Sequence, residues 1–372
     1  MDKTMGYKIF AVNPGSTSTK IALFDGDKKI FSENVSHDAE KLKEFTSIAE
    51  QLPYREETIS NLLKENHVDL SEVDAFVGRG GGLLGVEGGT YEINDILLDH
   101  AVNIANGVPH PATLGPQLAK KYAEAYGKKA YVVNPPDTDE LQDVARVTGI
   151  KGVYRNVHLH ALNLKETAIR HAEKIGKRYE NCNFVVCHIG GGVSVSAHKQ
   201  GKMIDGNDIV GGEGPMAPTR CGEVPVVEIL NYMEKTGAGL KDVKSLVVKT
   251  GGFVSHLGTS DAREVTASIA EGDKEAELIW NTFIYQIEKY IGAMAVALKG
   301  KVDGILLGGG IVYNEELVKR ISEDCSFIAP VTAYPGEFEM EAMAAGVIRV
   351  LEGKEELKEY TGVSAWKGFE FK

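Results

Sequence analysis

Cysteine is scarce in this sequence. Cys182, Cys187, Cys221 and Cys325 are the only four among 372 residues, and no two of them form a CxxC pair, so a disulfide framework and a cysteine zinc site are both excluded. A reducing cytoplasm is the expected compartment. Long apolar runs are missing too: none approaches the roughly 20 residues that span a bilayer, and the opening MDKTMGYKIFAV has no h-region and no small-residue cleavage site. Basic residues are outnumbered, 41 against 53 acidic, for a formal net charge of -12. That charge opposes phosphodiester backbones and anionic lipid, so neither nucleic acid nor membrane is expected as a partner. A small anionic substrate stays admissible, because a cleft can gather a few arginines inside an acidic protein.

What is present is an α/β pattern in a chain too long for one ordinary core, with 43% hydrophobic residues to build two. Strands are expected at Tyr7 to Val12, Lys20 to Phe24 and Lys28 to Asn34, then helices at Ala39 to Gln51 and Tyr54 to Glu65. A short strand at Val73 to Val77 runs into Gly78-Arg79-Gly80-Gly81-Gly82. Helices follow at Ile93 to Ala105 and Leu114 to Tyr126, around the rigid corner Pro109-His110-Pro111, and a strand at Lys129 to Val133 leads into Asn134-Pro135-Pro136-Asp137-Thr138-Asp139. Further on, helices are expected at Ala161 to Ile175, Val226 to Lys235 and Lys274 to Leu298, a strand at Val302 to Leu307 and a last helix at Glu337 to Leu351. Apolar positions nearly all round Lys274 to Leu298 predict a buried central or interdomain helix.

Two stretches repeat one plan. AVNPGSTSTKIALFDG, residues 11 to 26, and NFVVCHIGGGVSVSAHKQGKMIDG, residues 183 to 206, each give an apolar strand, a small-residue turn with hydroxyls, a second strand and a charged turn. An internal duplication follows. Three phosphate-binding readings compete for the glycine-rich turns. Walker A fails, since no Gly-Lys pair is followed by Ser or Thr. A GxGxxG at Gly80, Gly82 and Gly85 follows a strand, but Gly88-Gly89 breaks the helix that should receive a pyrophosphate. The third reading is a β-hairpin whose turn offers backbone N–H groups and hydroxyls to a nucleotide, one in each duplicated half, facing across a cleft. Asn13 to Lys20 and Gly190 to Ser196 fit it, although the first loop alone also fits an ordinary hydroxyl-rich turn.

The paired hairpins resemble the superfamily of sugar kinases, actin and heat-shock ATPases, and NPGSTSTK resembles the first loop of the acetate kinase family. Eight further motifs extend the likeness in order along most of the chain: GRGGG, PHP, VHLHAL, HIGGGVSVSAHKQGKMIDG, EGPMAPTRCGEVP, SDAREV, GILLGGG and PGEFEMEA. The GRGGG and HIGGG forms are most similar to the butyrate kinase branch. The resemblance implies two duplicated ribonuclease H-like (actin-like ATPase) domains with mixed sheets flanked by helices. Residues 1–155, completed by the tail 350–372, would form the first, and residues 156–349 the second, nucleotide-binding one. It also implies a homodimer or larger homo-oligomer.

The implied reaction is transfer of the γ-phosphoryl of ATP to a carboxylate, with Mg²⁺. Phosphoryl transfer asks a protein mainly for positioning and for positive charge at the equatorial oxygens. Arg79 matches the family arginine that holds the carboxylate, and Arg220 the one facing the transferred phosphoryl; a planar guanidinium can bind two oxygens at once. His160 matches a histidine on the phosphoryl and His110 one in the acyl pocket, whereas His158 and His188 are read as structural. Asn13, Ser16, Ser18 and Lys20, with Gly190, Gly191 and Gly192, would hold phosphates. Asn13 and Glu337 match the metal-side positions, with Glu339 as the other choice of register. Asp261 and Arg263 match nucleotide-side positions, an arrangement also typical of a helix cap with a surface partner, and Gly308, Gly309 and Gly310 would let adenosine lie close.

The departures from acetate kinases bear on substrate. Asn134 stands where they carry an aspartate, leaving Asp137 or Asp139 to take its orienting role. Gly191 replaces an asparagine, and Gly81 replaces a valine. A missing valine side chain would admit two or three carbons, and at about 0.8 kcal/mol per buried methylene a four-carbon acid would gain about 1.6 kcal/mol over acetate. Butyrate or a branched acid such as isobutyrate is therefore expected, with acetate or propionate as the rival acceptor. An actin-like or heat-shock-like ATPase without a small acceptor is the rival class; Arg79, His110 and Arg220 argue against it.

Overall fold

A computed structural model describes residues 6 to 370, so the ends of the expected first domain and of its tail lie outside the described residues. The strands are β1 (Lys8–Pro14), β2 (Ser18–Asp25), β3 (Lys28–Ser36), β4 (Ala75–Gly78), β5 (Thr90–Glu92), β6 (Lys129–Val133), β7 (Asn183–Ile189), β8 (Val193–Lys199), β9 (Lys202–Gly206), β10 (Gly304–Gly309), β11 (Val331–Pro335) and β12 (Leu357–Lys358). They form a seven-stranded sheet in the order β12-β5-β6-β4-β1-β2-β3 and a five-stranded one in the order β11-β10-β7-β8-β9. Each sheet has one antiparallel meander, β1-β2-β3 or β7-β8-β9, followed by two parallel neighbours, β4 and β6 or β10 and β11. The duplication expected from the hairpins is thus a duplication of whole sheets, helix-flanked in the actin-like manner.

The chain divides into one unit of Met1–Asp139 with Phe338–Lys372 and a second of Glu140–Glu337. Both crossings come earlier than the expected 155/156 and 349/350. The first moves because Glu140 already bonds into the second unit, accepting from Met203 N at 2.7 Å and from Lys165 Nζ, while Gln142 N donates to Ile204 O. The second moves because helix Glu339–Leu351 packs on β1, β4 and β6. Gly346 permits that approach, since a Cβ there would lie 2.4 Å from Val133 Cγ1.

In the first unit, residues 9–12 of β1 are wholly buried, as expected of a strand covered on both faces. Phe10 and Val12 join a core with Phe76, Val132, Leu114, Leu118 and Ile59. One local expectation fails there. The helix expected at Ala39 to Gln51 shrinks to Ala39–Lys43 and a 3₁₀ turn at Ala49–Gln51, with no buried residue in either. The charged tail supplies β12 and the buried Tyr360, whose hydroxyl accepts from Leu84 N and meets His100 Nδ1 at 2.8 Å.

In the second unit, helix Lys274–Ala297 lays Ile279, Trp280, Phe283, Ile284, Ile287 and Ile291 on the sheet and exposes Leu278, Tyr285 and Val296. It is buried on one face and exposed on the other, not apolar-packed all round. No helix of the described residues is long and apolar enough to cross a membrane.

Candidate active site

In the first unit, the end of β4 aims the loop that carries Arg79. A Cβ at Gly78 would meet Gly115 O at 2.1 Å, and one at Gly115 would meet Arg79 O at the same distance. Backbone therefore lies on backbone, and Arg79 is fixed between β1, through its N–H to Val12 O, and helix Leu114–Ala125. Its side chain is 9% exposed, Nε stands 3.6 Å from Glu339 Oε1, and the buried Nη1 has no hydrogen-bond partner. Asn13 Nδ2 donates to the other oxygen of Glu339 at 2.7 Å. Of the two register choices, Glu339 is the one that joins Asn13; Glu337 belongs to the second unit.

His110 is exposed and opens the turn Pro111–Thr113, with Nδ1 accepting from Ala112 N. In the neutral ring this leaves the proton on Nε2, which is then a donor. Asp137 is buried and takes a 2.5 Å hydrogen bond from Asn106 Nδ2, while Asn106 Oδ1 accepts from Val108 N, two residues before His110. Asn106 thus ties Asp137 to the His110 corner, a link the sequence reading missed. Asn134 plays another part: its Oδ1 accepts from Gly89 N, and its positive φ of 38° turns the chain. Asp139 is held through its backbone N–H to Val86 O.

Gly81 does not border an open space. A Cβ there would stand 3.2 Å from Ala112 Cβ and 3.3 Å from Thr113 N, so a side chain at this position would press on the His110 turn.

The first hairpin turn leaves Ser16, Thr17 and Lys20 exposed and Ser18 half-buried. It is closed by Gly15 N donating to Ser18 O and held from the side by His37 N donating to Thr17 O. Lys20 lies opposite Asn13 in the β1–β2 register.

In the second unit the turn of β7 and β8 is three glycines long, closed by Gly190 N donating to Gly192 O. Arg220 lies against it. A Cβ at Gly192 would fall 1.7 Å from Arg220 Nη1 and 3.2 Å from His160 Cε1, so only glycine lets these side chains share that place. Burial pulls the Arg220 pKa down, offset by the Asp208 charge, and both Nε and Nη1 are buried with no hydrogen-bond partner. His160 precedes helix Ala161–Lys174, its Nδ1 2.8 Å from the buried Ser194 Oγ, which also accepts from His160 N. With Ser194 O–H donating to an unprotonated Nδ1, neutral His160 carries its proton on Nε2.

His188, read as structural, stacks on His160 at 4.0 Å and lies 3.8 Å from Glu337 Oε1. The signal for it was its place directly before Ile189 and the glycine turn. His158 meets Asp208 Oδ1 at 3.2 Å. Gly309, at φ 102°, ends β10 with a Cβ position only 2.3 Å from Ile189 O, and Gly308 and Gly310 flank it. Asp261 caps helix Ala262–Ala270 and pairs with the exposed Arg263 at 2.6 Å, which with the capping N–H holds its carboxyl near a pKa of about 2.

No group of three or more His, Cys, Asp or Glu side chains gathers as a metal nest among the described residues. Mg²⁺ binds through one or two carboxylates, water and substrate phosphates instead of an all-protein cage. Asn13 with Glu339, and Glu337 in the other unit, are hard-oxygen donors of that kind.

The acetokinase family model matches residues 150–327. The "Probable butyrate kinase" of Clostridium botulinum (strain Eklund 17B / Type B) is 45% identical over 356 residues, 96% of this chain and 100% of that protein. "Butyrate kinase 2" of Clostridium acetobutylicum is 42% identical, with 96% of this chain and 100% of that protein covered. Among solved structures, the acetate kinase of Porphyromonas gingivalis superposes with a TM-score of 0.76 at 21% identity, covering 93% of this chain and 100% of that one, a likeness of fold.

Proposed function

This chain belongs to the acetokinase family, and from that premise we propose that it transfers the γ-phosphoryl group of ATP to a short-chain carboxylate, with butyrate or a branched acid such as isobutyrate as preferred acceptor. One observation carries the reading. Each unit holds a guanidinium with buried N–H groups lacking acceptors: Nη1 of Arg79 in the first, Nε and Nη1 of Arg220 in the second. Buried donors without acceptors are costly. The oxygens of a carboxylate and of a phosphoryl group would satisfy them.

In the proposed reaction the acid lies on Arg79, with His110 donating from Nε2, and one carboxylate oxygen attacks the γ-phosphorus. The bond from that phosphorus to its bridging oxygen breaks, and the electron pair leaves with ADP, so no proton changes hands. Arg220 and His160 Nε2–H meet the equatorial oxygens, where charge is spread in the transition state. Asp137, through Asn106, holds the corner that carries His110. Asn13, Ser16, Ser18, Lys20 and Gly190 to Gly192 hold phosphates, and Gly308 to Gly310 receive the adenosine, with Asp261 and Arg263 at its margin. Mg²⁺, when bound, neutralises charge on the phosphate oxygens; Asn13 with Glu339, and Glu337, would hold it directly or through water.

A cytoplasmic enzyme is consistent with four free thiols, and a homo-oligomer with the exposed Val226, Val227 and Leu230 on helix Val226–Thr236. The deciding experiment traps acyl phosphate as hydroxamate from ATP and Mg²⁺ with acetate, propionate, butyrate and isobutyrate. The largest specificity constant is expected for a four-carbon acid. An acetate optimum overturns the acceptor, and ATP hydrolysis indifferent to every carboxylate overturns the reading as a whole.

A further inference from the structure

Behind the first hairpin lies a charge that the reaction as derived does not use. Arg55, on helix Leu52–Glu65, is 0% exposed, the bulkiest of the fully buried side chains. Its Nε and Nη2 donate to Gln51 Oε1 at 3.1 and 2.9 Å, and its Nη1 donates to Ser18 O at 3.2 Å and Thr19 Oγ1 at 2.9 Å. Every partner is neutral. Thr19 Oγ1 in turn meets His37 Nε2 at 2.8 Å, and burial, with the Arg55 charge second, brings His37 down to a pKa of about 4, so that ring is neutral near pH 7. Burial alone lowers Arg55 to about 10, which leaves it charged.

A buried guanidinium normally has a carboxylate beside it, because removing an ion from water costs several kcal/mol unless it is paired. Here, among the described residues, no carboxylate pairs with Arg55. Its position gives the reason. Ser18 O, one of its acceptors, is also the carbonyl that closes the turn by accepting from Gly15 N at 2.7 Å. The guanidinium is thus joined to the rear of the same turn whose front exposes Ser16, Thr17 and, on β2, Lys20. A charge in that low-dielectric setting is screened far less than one on the surface.

We propose that Arg55 is a positioning residue of the phosphate site: a buried positive charge behind the Gly15–Ser18 turn whose counter-ion is the polyphosphate of the nucleotide held at the front of that turn. This rests on the reading of the first hairpin as a phosphate loop. Arg55 touches no substrate; it fixes the turn through Ser18 and Thr19 and biases it toward anions. Its effect should therefore grow with the number of phosphates and be absent for adenosine.

Three variants separate charge from packing: Arg55→Lys keeps the charge, Arg55→Gln keeps hydrogen bonding, and Arg55→Met keeps the stem. Calorimetric affinities for ATP, ADP, AMP and adenosine are read with KM for ATP, KM for butyrate, kcat and thermal midpoint. Arg55→Met and Arg55→Gln are expected to weaken ATP at least tenfold, ADP less, and adenosine less than twofold, with the butyrate KM unchanged and the midpoint no lower than wild type. Arg55→Lys should restore most of the ATP affinity. Arg55→Gln binding ATP within twofold of wild type overturns the inference, as does an equal loss for ATP and adenosine that follows a fallen midpoint. Should Arg55→Met not fold, the Lys and Gln variants alone still separate charge from packing. A wild-type enzyme that forms no hydroxamate fails at the reading of function, before any Arg55 variant is compared.

Discussion

The sharpest single test of the phosphoryl side is Gly192→Ala. Gly192 does not have a positive φ, so alanine brings no backbone strain and removes some unfolded-state entropy, worth about 0.4 to 1 kcal/mol in its favour. The penalty is local: the new Cβ would sit 1.7 Å from Arg220 Nη1 and 2.6 Å from its Cζ. Non-bonded atoms settle near 3.5 Å, so the guanidinium must retreat by roughly 1.8 Å. A misplacement of about 1 Å costs about a hundredfold, and an arginine facing a transferred phosphoryl is worth about 10³ to 10⁵ in all. The expected fall in kcat is therefore about 10² to 10³, or roughly 3 to 4 kcal/mol of barrier, with a midpoint within a few degrees of wild type. Gly191→Ala is the matched control. Its Cβ meets nothing within 4 Å and leaves Arg220 in place, so although it belongs to the same proposed phosphate turn its loss of kcat should be at least about tenfold smaller than that at Gly192. Hydroxamate formation at saturating butyrate and ATP measures both. Wild-type turnover in Gly192→Ala, or equal losses in the two variants, would refute the assignment of Arg220 to the reacting phosphoryl.

Two further perturbations test other parts of the molecule. Gly81→Val should push on Ala112 and Thr113 and lower the specificity constants for acetate and butyrate together, with about 1 to 3 kcal/mol of destabilisation; a clean switch to acetate would restore pocket volume as the basis of acid selection. Glu288, raised to a pKa of about 7 by burial and then by the Asp324 charge, is a carboxyl whose folded pKa exceeds its unfolded one. Its protonated form is favoured in the native state, so the stability it contributes is complete below about pH 4.5 and lost as pH rises through 7. Glu288→Gln should then match wild type in thermal midpoint at low pH and exceed it near pH 8, by on the order of 1 kcal/mol for a half-buried group. A midpoint difference that does not change with pH would refute it.

The apolar runs that carried the fold in the sequence are those bounded by glycine turns, and β1, β2, β7 and β8 lie where they were expected. The elements that escaped are short and depend on distant partners. β5 has three residues and β12 two, and neither has a periodicity to read; β5 is defined by pairing with Tyr131 to Val133 of β6, and β12 by pairing with Thr90 and Tyr91 of β5. The same holds for the site. Arg79 and Arg220 stand inside dense motifs, whereas Arg55 acts on Thr19 from 36 residues away, Asn106 on Asp137 from 31 and Ser194 on His160 from 34. Nothing local marks a side chain whose role is to hold another.

The glycine runs show where the sequence signal was real but its meaning was not local. By the matching of the two sheets, β4 and β10 are equivalent strands, and each ends in glycines. At Gly78 the reason is contact with Gly115 O, and at Gly309 it is contact with Ile189 O. Both are demands of backbone touching backbone at the mouth of a duplicated sheet, and they would be met by glycine whatever the ligand. What distinguishes the two ends is the residue that follows. β4 delivers Arg79, a cation, while β10 delivers Gly310 and Ile311, which carry no charge. The glycines report the fold, and the charged neighbour after β4 is where the proposed carboxylate role enters.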